Sequence, residues 1–177
     1  IIFKEKMIKY IKIYDLIGFK ICWALCAFCT TWEMPYLGPL ATLLFIIIHL
    51  YIVSFNNRDI KVICLAILCG LLMDSFFSYF SFIDYKGGVL ADLSLAPLWI
   101  LSMWAGFSVT MLYTLDSISN KYFYASLIGF FGGPLSYNAG VQIGSLTITS
   151  NLSYFLLAIG WGLIIPFLFM VINKLKK

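Results

Sequence analysis

Charge is scarce in this sequence. Asp, Glu, Lys and Arg make up 11% of its 177 residues, where soluble domains carry about a quarter. A water-soluble domain of this size is therefore excluded, because it could not hide the remaining apolar surface. His49 is the only histidine, so no zinc site can be built from paired imidazoles, and no His–Cys spacing supports one either. Nucleophile motifs, Gly-rich phosphate loops and carboxylate pairs at catalytic spacing are absent, which removes most enzyme classes of the soluble type. No catalytic residue, cofactor or metal ion is assigned, and the residues lean against an enzyme without deciding the matter. No small-residue cleavage site follows the first apolar stretch, so no cleavable signal peptide is expected. Met7 is a candidate start.

What the sequence does contain is apolar length. Hydrophobic residues account for 62% of the chain, and its polar breaks leave six apolar stretches, at 16–36, 38–55, 60–82, 93–115, 122–143 and 152–172. At about 1.5 Å per residue each can cross a hydrocarbon core of about 30 Å, some with tilt. Eleven of the twelve Lys and Arg residues then fall on one side. Lys4, Lys6, Lys9, Lys12 and Lys20 belong to the N-terminal arm and first span. Arg58 and Lys61 mark the second connection, Lys121 the fourth, and Lys174, Lys176 and Lys177 the tail. Only Lys86 lies opposite. Short cytoplasmic connections retain basic residues, so both termini are expected in the cytoplasm. The expected fold is all-α: a polytopic membrane protein, a compact bundle of six transmembrane helices. Residues 1–15 form a basic arm, 16–172 the membrane domain and 173–177 a basic tail. The net charge of +4 follows from this topology and suits anionic headgroups; it does not argue for nucleic acid.

Local signals add detail. In the arm, Ile8, Ile11 and Tyr14 can face one way and Lys6, Lys9 and Lys12 another, as in an interfacial helix; a frayed arm fits equally. Trp32 to Pro39 predicts a tight hairpin between the first two spans, and Asn56 to Asp59 a turn. The 83–92 segment is the longest outer loop, and Thr147 to Asn151 a polar turn. Gly132-Gly133-Pro134 predicts a kink in the fifth span. Cys22, Cys26 and Cys29 share one helix face, where small thiols suit close packing or a soft metal, packing being the simpler account.

Polar residues inside spans are the candidate sites. Asp74 lies just outside the midplane, where an unpaired charge costs about 2.5–3.5 kcal/mol on insertion scales. Gly70 and Ser78 share its face and let another helix approach. Glu33, Trp99, Tyr137 and Asn138 occupy the outer halves of other spans and are candidate ligand-binding partners. His49 is a further candidate, as a proton relay with Asp74, although it lies in the inner half of its span. Two readings of Asp74 remain open. In one it lines a pocket; in the other it is hydrogen-bonded to Tyr137 or to a freed carbonyl and only holds helices together. Trp99, Trp104 and Trp161 lie deeper than an interfacial belt requires.

The run Gly70-Leu71-Leu72-Met73-Asp74-Ser75, then Ala96-Pro97-Leu98-Trp99 with Trp104, then Gly132-Gly133-Pro134-Leu135-Ser136-Tyr137 with Gly140, resembles an uncharacterised bacterial inner-membrane family catalogued as domain of unknown function 2878. Trp32 to Pro39 and His49 fit the same pattern, and the likeness spans residues 16–172. It implies a multi-pass protein of the bacterial inner membrane and carries no activity with it. The function expected is binding or transport of a small or lipid-like molecule through an outer-half pocket around Asp74. The alternatives are a membrane enzyme of lipid modification and a non-catalytic assembly partner. Expected partners are membrane lipids, a small-molecule or lipid ligand, and another membrane protein.

Overall fold

The computed structural model describes the backbone of residues 2–176 and the side chains of residues 9–176. Seven helices run through it: α1 (Ile2–Thr31), α2 (Leu37–Ile52), α3 (Asn57–Tyr79), α4 (Val89–Asp92), α5 (Leu98–Tyr113), α6 (Tyr122–Ile143) and α7 (Asn151–Leu175). Among the described residues three helices are long and apolar enough to cross a membrane: α1 from Lys9, α3 and α7. The apolar helices α2 and α5 are shorter, at 16 residues each.

Local chemistry sets the ends. The Asn56 side chain accepts the Arg58 N–H at 2.9 Å and caps α3, and Ser150 accepts the Ser153 N–H at 3.3 Å and caps α7, satisfying backbone donors that a helix start leaves free. The 93–115 stretch is not one helix. Ser94 takes a left-handed backbone (φ 57°) and Pro97 an extended one, so α5 begins only at Leu98. Conversely, α1 passes unbroken through the boundary expected between arm and span. Its lower turns are tied in: the Thr114 hydroxyl donates to the Lys12 carbonyl at 3.1 Å, and the Tyr14 hydroxyl to the Phe45 carbonyl at 3.0 Å. α6 continues through Pro134, and α7 through Pro166.

The helix α5 is central, touching α1, α2 and α3 along its length. α6 and α7 form a close antiparallel pair, α7 also meets α3, and α1 meets α6 only lightly. The outer surface is as apolar as the core, and several ionisable groups lie inside. Leu40, Leu72, Leu135 and Leu163 are each more than 60% exposed on the outside, while Asp15, His49, Asp59 and Asp74 have no exposure at all. Such a surface is at home against hydrocarbon.

Two features are not expected from the sequence: the short helix α4 within the 83–92 segment, and a two-stranded ribbon. Strands β1 (Ile83–Tyr85) and β2 (Leu146–Ile148) pair antiparallel, with Asp84 opposite Thr147. This ribbon joins the α3–α4 and α6–α7 connections at one end of the bundle. At the other end lie the α2–α3 turn and the end of α5.

Candidate functional site

Asp74 is fully buried and accepts three hydrogen bonds from side chains of three different elements. The Tyr85 hydroxyl of β1 donates to Oδ1 at 2.6 Å. The Trp104 indole N–H of α5 donates to Oδ2 at 2.7 Å. The Tyr137 hydroxyl of α6 donates to Oδ1 in a short contact. No basic side chain pairs with this carboxyl among the described residues. Gly70, one turn before it on α3, makes the arrangement possible: a Cβ there would stand 2.2 Å from Trp104 Cδ1. The missing side chain lets the indole lie flat on α3 and reach up to the carboxyl.

Trp104 in turn stacks on Trp161 of α7, ring centroids 4.2 Å apart and planes within 8°. Trp161 meets Tyr137 edge-on at 6.3 Å. A Cβ at Gly133 would stand 2.3 Å from Trp161 Cγ, so this glycine seats the indole against α6. The Trp161 N–H is buried without an acceptor among the described residues.

The three aromatic side chains form one wall of a groove of about 580 Å³, bounded by α1, α5, α6 and α7. Trp23, Phe107 and Ile165 complete much of its apolar lining. Its volume lies in the ordinary range for small-molecule sites, roughly 300–1,000 Å³. The mouth lies between α1 and α6, where the exposed residues Lys20, Ile128, Gly132 and Ser136 line it. The Trp23 indole N–H donates to Ser136 Oγ at 3.3 Å across this mouth. At Gly132 a Cβ would meet nothing within 4 Å, so the opening is free there. Asp74 does not line the groove; it stands behind the wall and fixes two of its side chains.

The remaining candidates fall elsewhere. Trp99 is buried one step away: its N–H donates to the Lys86 carbonyl at 2.8 Å, and its ring meets Tyr85 edge-on at 6.1 Å. Asn138 is exposed and accepts a hydrogen bond from the Tyr154 hydroxyl at 3.0 Å. Glu33 is exposed in the α1–α2 turn with a left-handed backbone, φ 60°. Neither joins Asp74, because one side chain points to the bundle's outside and the other sits in a surface turn.

His49 has different partners from those expected. Its Nδ1 donates to Asp15 Oδ1 at 2.8 Å, and its Nε2 lies 3.6 Å from Asp59 Oδ2. Asp59 also accepts from Arg58 Nε at 2.8 Å and from the Tyr113 hydroxyl at 2.6 Å, while Arg58 donates to that same hydroxyl at 3.1 Å. This second cluster joins α1, α2, α3 and α5 at the end opposite the ribbon. A relay between His49 and Asp74 is not built. Asp15, Asp59 and Tyr113 went unrecognised in the sequence: Asp15 looked like part of a basic arm, and Asp59 like a turn former. The signal available was that Asp15 is an acid within a helix-spaced apolar face, four residues after Ile11.

The sequence has one CxxC spacing, Cys26 to Cys29, within the thiol stripe. All five cysteines are free, and Cys22, Cys26 and Cys29 are buried. Among the described residues no three His, Cys, Asp or Glu side chains are grouped to hold a metal ion.

An all-helical bundle with apolar flanks, an inward-turned carboxyl and a lateral groove defines a class of membrane-type helical proteins, not a reaction. The chain matches the family described as "Protein of unknown function (DUF2878)" over residues 12–167, and it belongs to that family. No curated protein and no solved structure matches it.

Proposed function

We propose that the protein is a six-span integral membrane protein, with α4 and the ribbon outside and both termini in the cytoplasm, that binds or transports a lipid-like molecule in the groove between α1 and α6. The carrying observation is the groove itself: about 580 Å³ of apolar space at mid-height of the bundle, with its mouth on the flank. A ligand that reaches such a mouth arrives from the bilayer. The three membrane-length helices with the shorter apolar α2 and α5, the basic residues around the α2–α3 turn and the tail, and the exposed leucines support the orientation and the setting in an inner membrane. The partners are membrane lipids.

Asp74 serves this site indirectly. Its carboxyl is screened from the groove by Tyr137 and Trp104, so it positions the wall and leaves ligand contact to the aromatic faces. That geometry favours binding over lipid chemistry led by Asp74, which would require its carboxyl to reach the ligand. The groove also lies deeper than the outer-half pocket expected from the sequence.

Native mass spectrometry with lipid analysis tests the reading on gently extracted protein, wild type beside Gly132→Leu. Leucine fits the helix and fills the free mouth. Loss of a co-purified molecule in the variant is the expected result. Identical profiles from two equally stable proteins would remove the groove as a binding site.

A further inference from the structure

We infer that the groove selects an anionic phospholipid from the inner leaflet, its phosphate on Lys20 and an acyl chain along the Trp104–Trp161 wall. This rests on the groove reading above and gives it a substrate class. Lys20 is the only charged side chain among the groove's lining residues. It is exposed on the α1 flank and has no carboxylate partner among the described residues. The groove contains no counter-charge. Asp74 stands behind Tyr137 and Trp104 and is already engaged by three donors. A cation on an apolar flank needs either water or an anion.

Depth decides which anion. Lys20 follows Asp15 on α1 by five residues, about 7.5 Å along the axis at 1.5 Å per residue. Asp15 is itself level with Asp59, at the start of α3, through their shared contact with His49. A lysine stem can span much of that distance and bring its ammonium close to the inner interface. The phosphate of an inner-leaflet lipid lies at that interface. From there the groove leads outward, past Gly132, to Ser136 and Tyr137, along the direction an acyl chain takes into the bilayer. Apolar length beyond a single cation is the shape of an amphiphile and not of a free inorganic anion.

The test uses the full chain in mixed micelles of equimolar phosphatidylglycerol and phosphatidylcholine, with retained lipid counted by native mass spectrometry. Wild type should retain phosphatidylglycerol in preference. Lys20→Gln should cut that preference about fivefold, the factor that about 1 kcal/mol for one basic side chain at a membrane surface provides. Lys20→Arg should keep it, and Lys174→Gln, on the exposed tail, should leave it unchanged. An unaltered preference in Lys20→Gln would overturn the inference, as would an equal loss in Lys174→Gln. Displacement of the phospholipid by an equal concentration of a long-chain carboxylic acid would overturn the phospholipid assignment. Gly132→Leu separates the two levels. If it abolishes retention of both lipids while Lys20→Gln changes nothing, the groove stands and the headgroup assignment falls; if it changes nothing, the groove reading itself falls.

Discussion

Two carboxyl groups on one helix, Asp59 and Asp74, are equally buried and have opposite surroundings. Asp59 has basic partners, Arg58 at 2.8 Å and His49 beyond, which Asp15 holds from its other side, besides the Tyr113 hydroxyl at 2.6 Å. Asp74 sees only neutral donors, two phenols and an indole. The first cluster fastens four helices. The second presents the other faces of Tyr137 and Trp104 to a groove. Burial of a charge therefore says little about function. What the partners do with their remaining surface says more.

The largest expected effect breaks the first cluster. Asp59→Ala leaves Arg58, Tyr113 and His49 without their shared acceptor, and removing one partner of a buried ion pair costs about 3–5 kcal/mol. Thermal unfolding in detergent measures this. Whatever Asp59→Ala protein remains folded should retain lipid like wild type, since nothing in that cluster lines the groove.

Asp74→Asn should cost about 1.5–3 kcal/mol, the range for hydrogen bonds to a charged group. An amide offers one acceptor oxygen and two N–H donors, whereas this site presents three donors. The isostere is therefore not silent even if Asp74 only packs helices, and lipid retention is the sharper readout: it should fall, because Tyr137 and Trp104 lose their anchor. Unchanged retention would reduce Asp74 to helix packing.

Smaller effects sharpen the contrast. Tyr137→Phe removes one donor of three to the same carboxyl and should cost about 1.5 kcal/mol, the low end of the range for hydrogen bonds to a charged group. Combining Asp59→Asn with Asp74→Asn tests independence. The sites lie fifteen residues apart, about 22 Å along α3, so their stability effects should add within about 0.5 kcal/mol. A larger coupling energy in that double-mutant cycle would show that the two ends of the helix communicate.

Much of the fold was legible from periodic apolar length, which needs no knowledge of neighbours. Three helices, α1 from Lys9, α3 and α7, are long and apolar enough to cross a membrane, and α2, α5 and α6 fall on the other apolar stretches. The fourth was overextended because Ser94 and Pro97 act through backbone dihedrals that an apolar count ignores. The ribbon was illegible, since three-residue strands are too short to show alternation, and their pairing joins segments more than sixty residues apart. At the site, Asp74 and Tyr137 stood out as polar groups in apolar stretches. Tyr85 did not, because a tyrosine in a loop attracts no notice until the loop folds back over the bundle. His49 was noticed but matched to the wrong carboxyl: depth along the chain could be judged, while lateral neighbours could not.

The ribbon also dictates an order of events during synthesis. Tyr85 is positioned by β1, whose partner opposite it is Leu146. Chains emerge N-terminus first, so α3 is made well before either Tyr137 or β2 exists. During that interval Asp74 can draw on Trp104 and on a Tyr85 that no ribbon yet holds. A half-made chain therefore holds an under-satisfied acid, and the arrival of α6 and β2 completes its shell and the ribbon above it together.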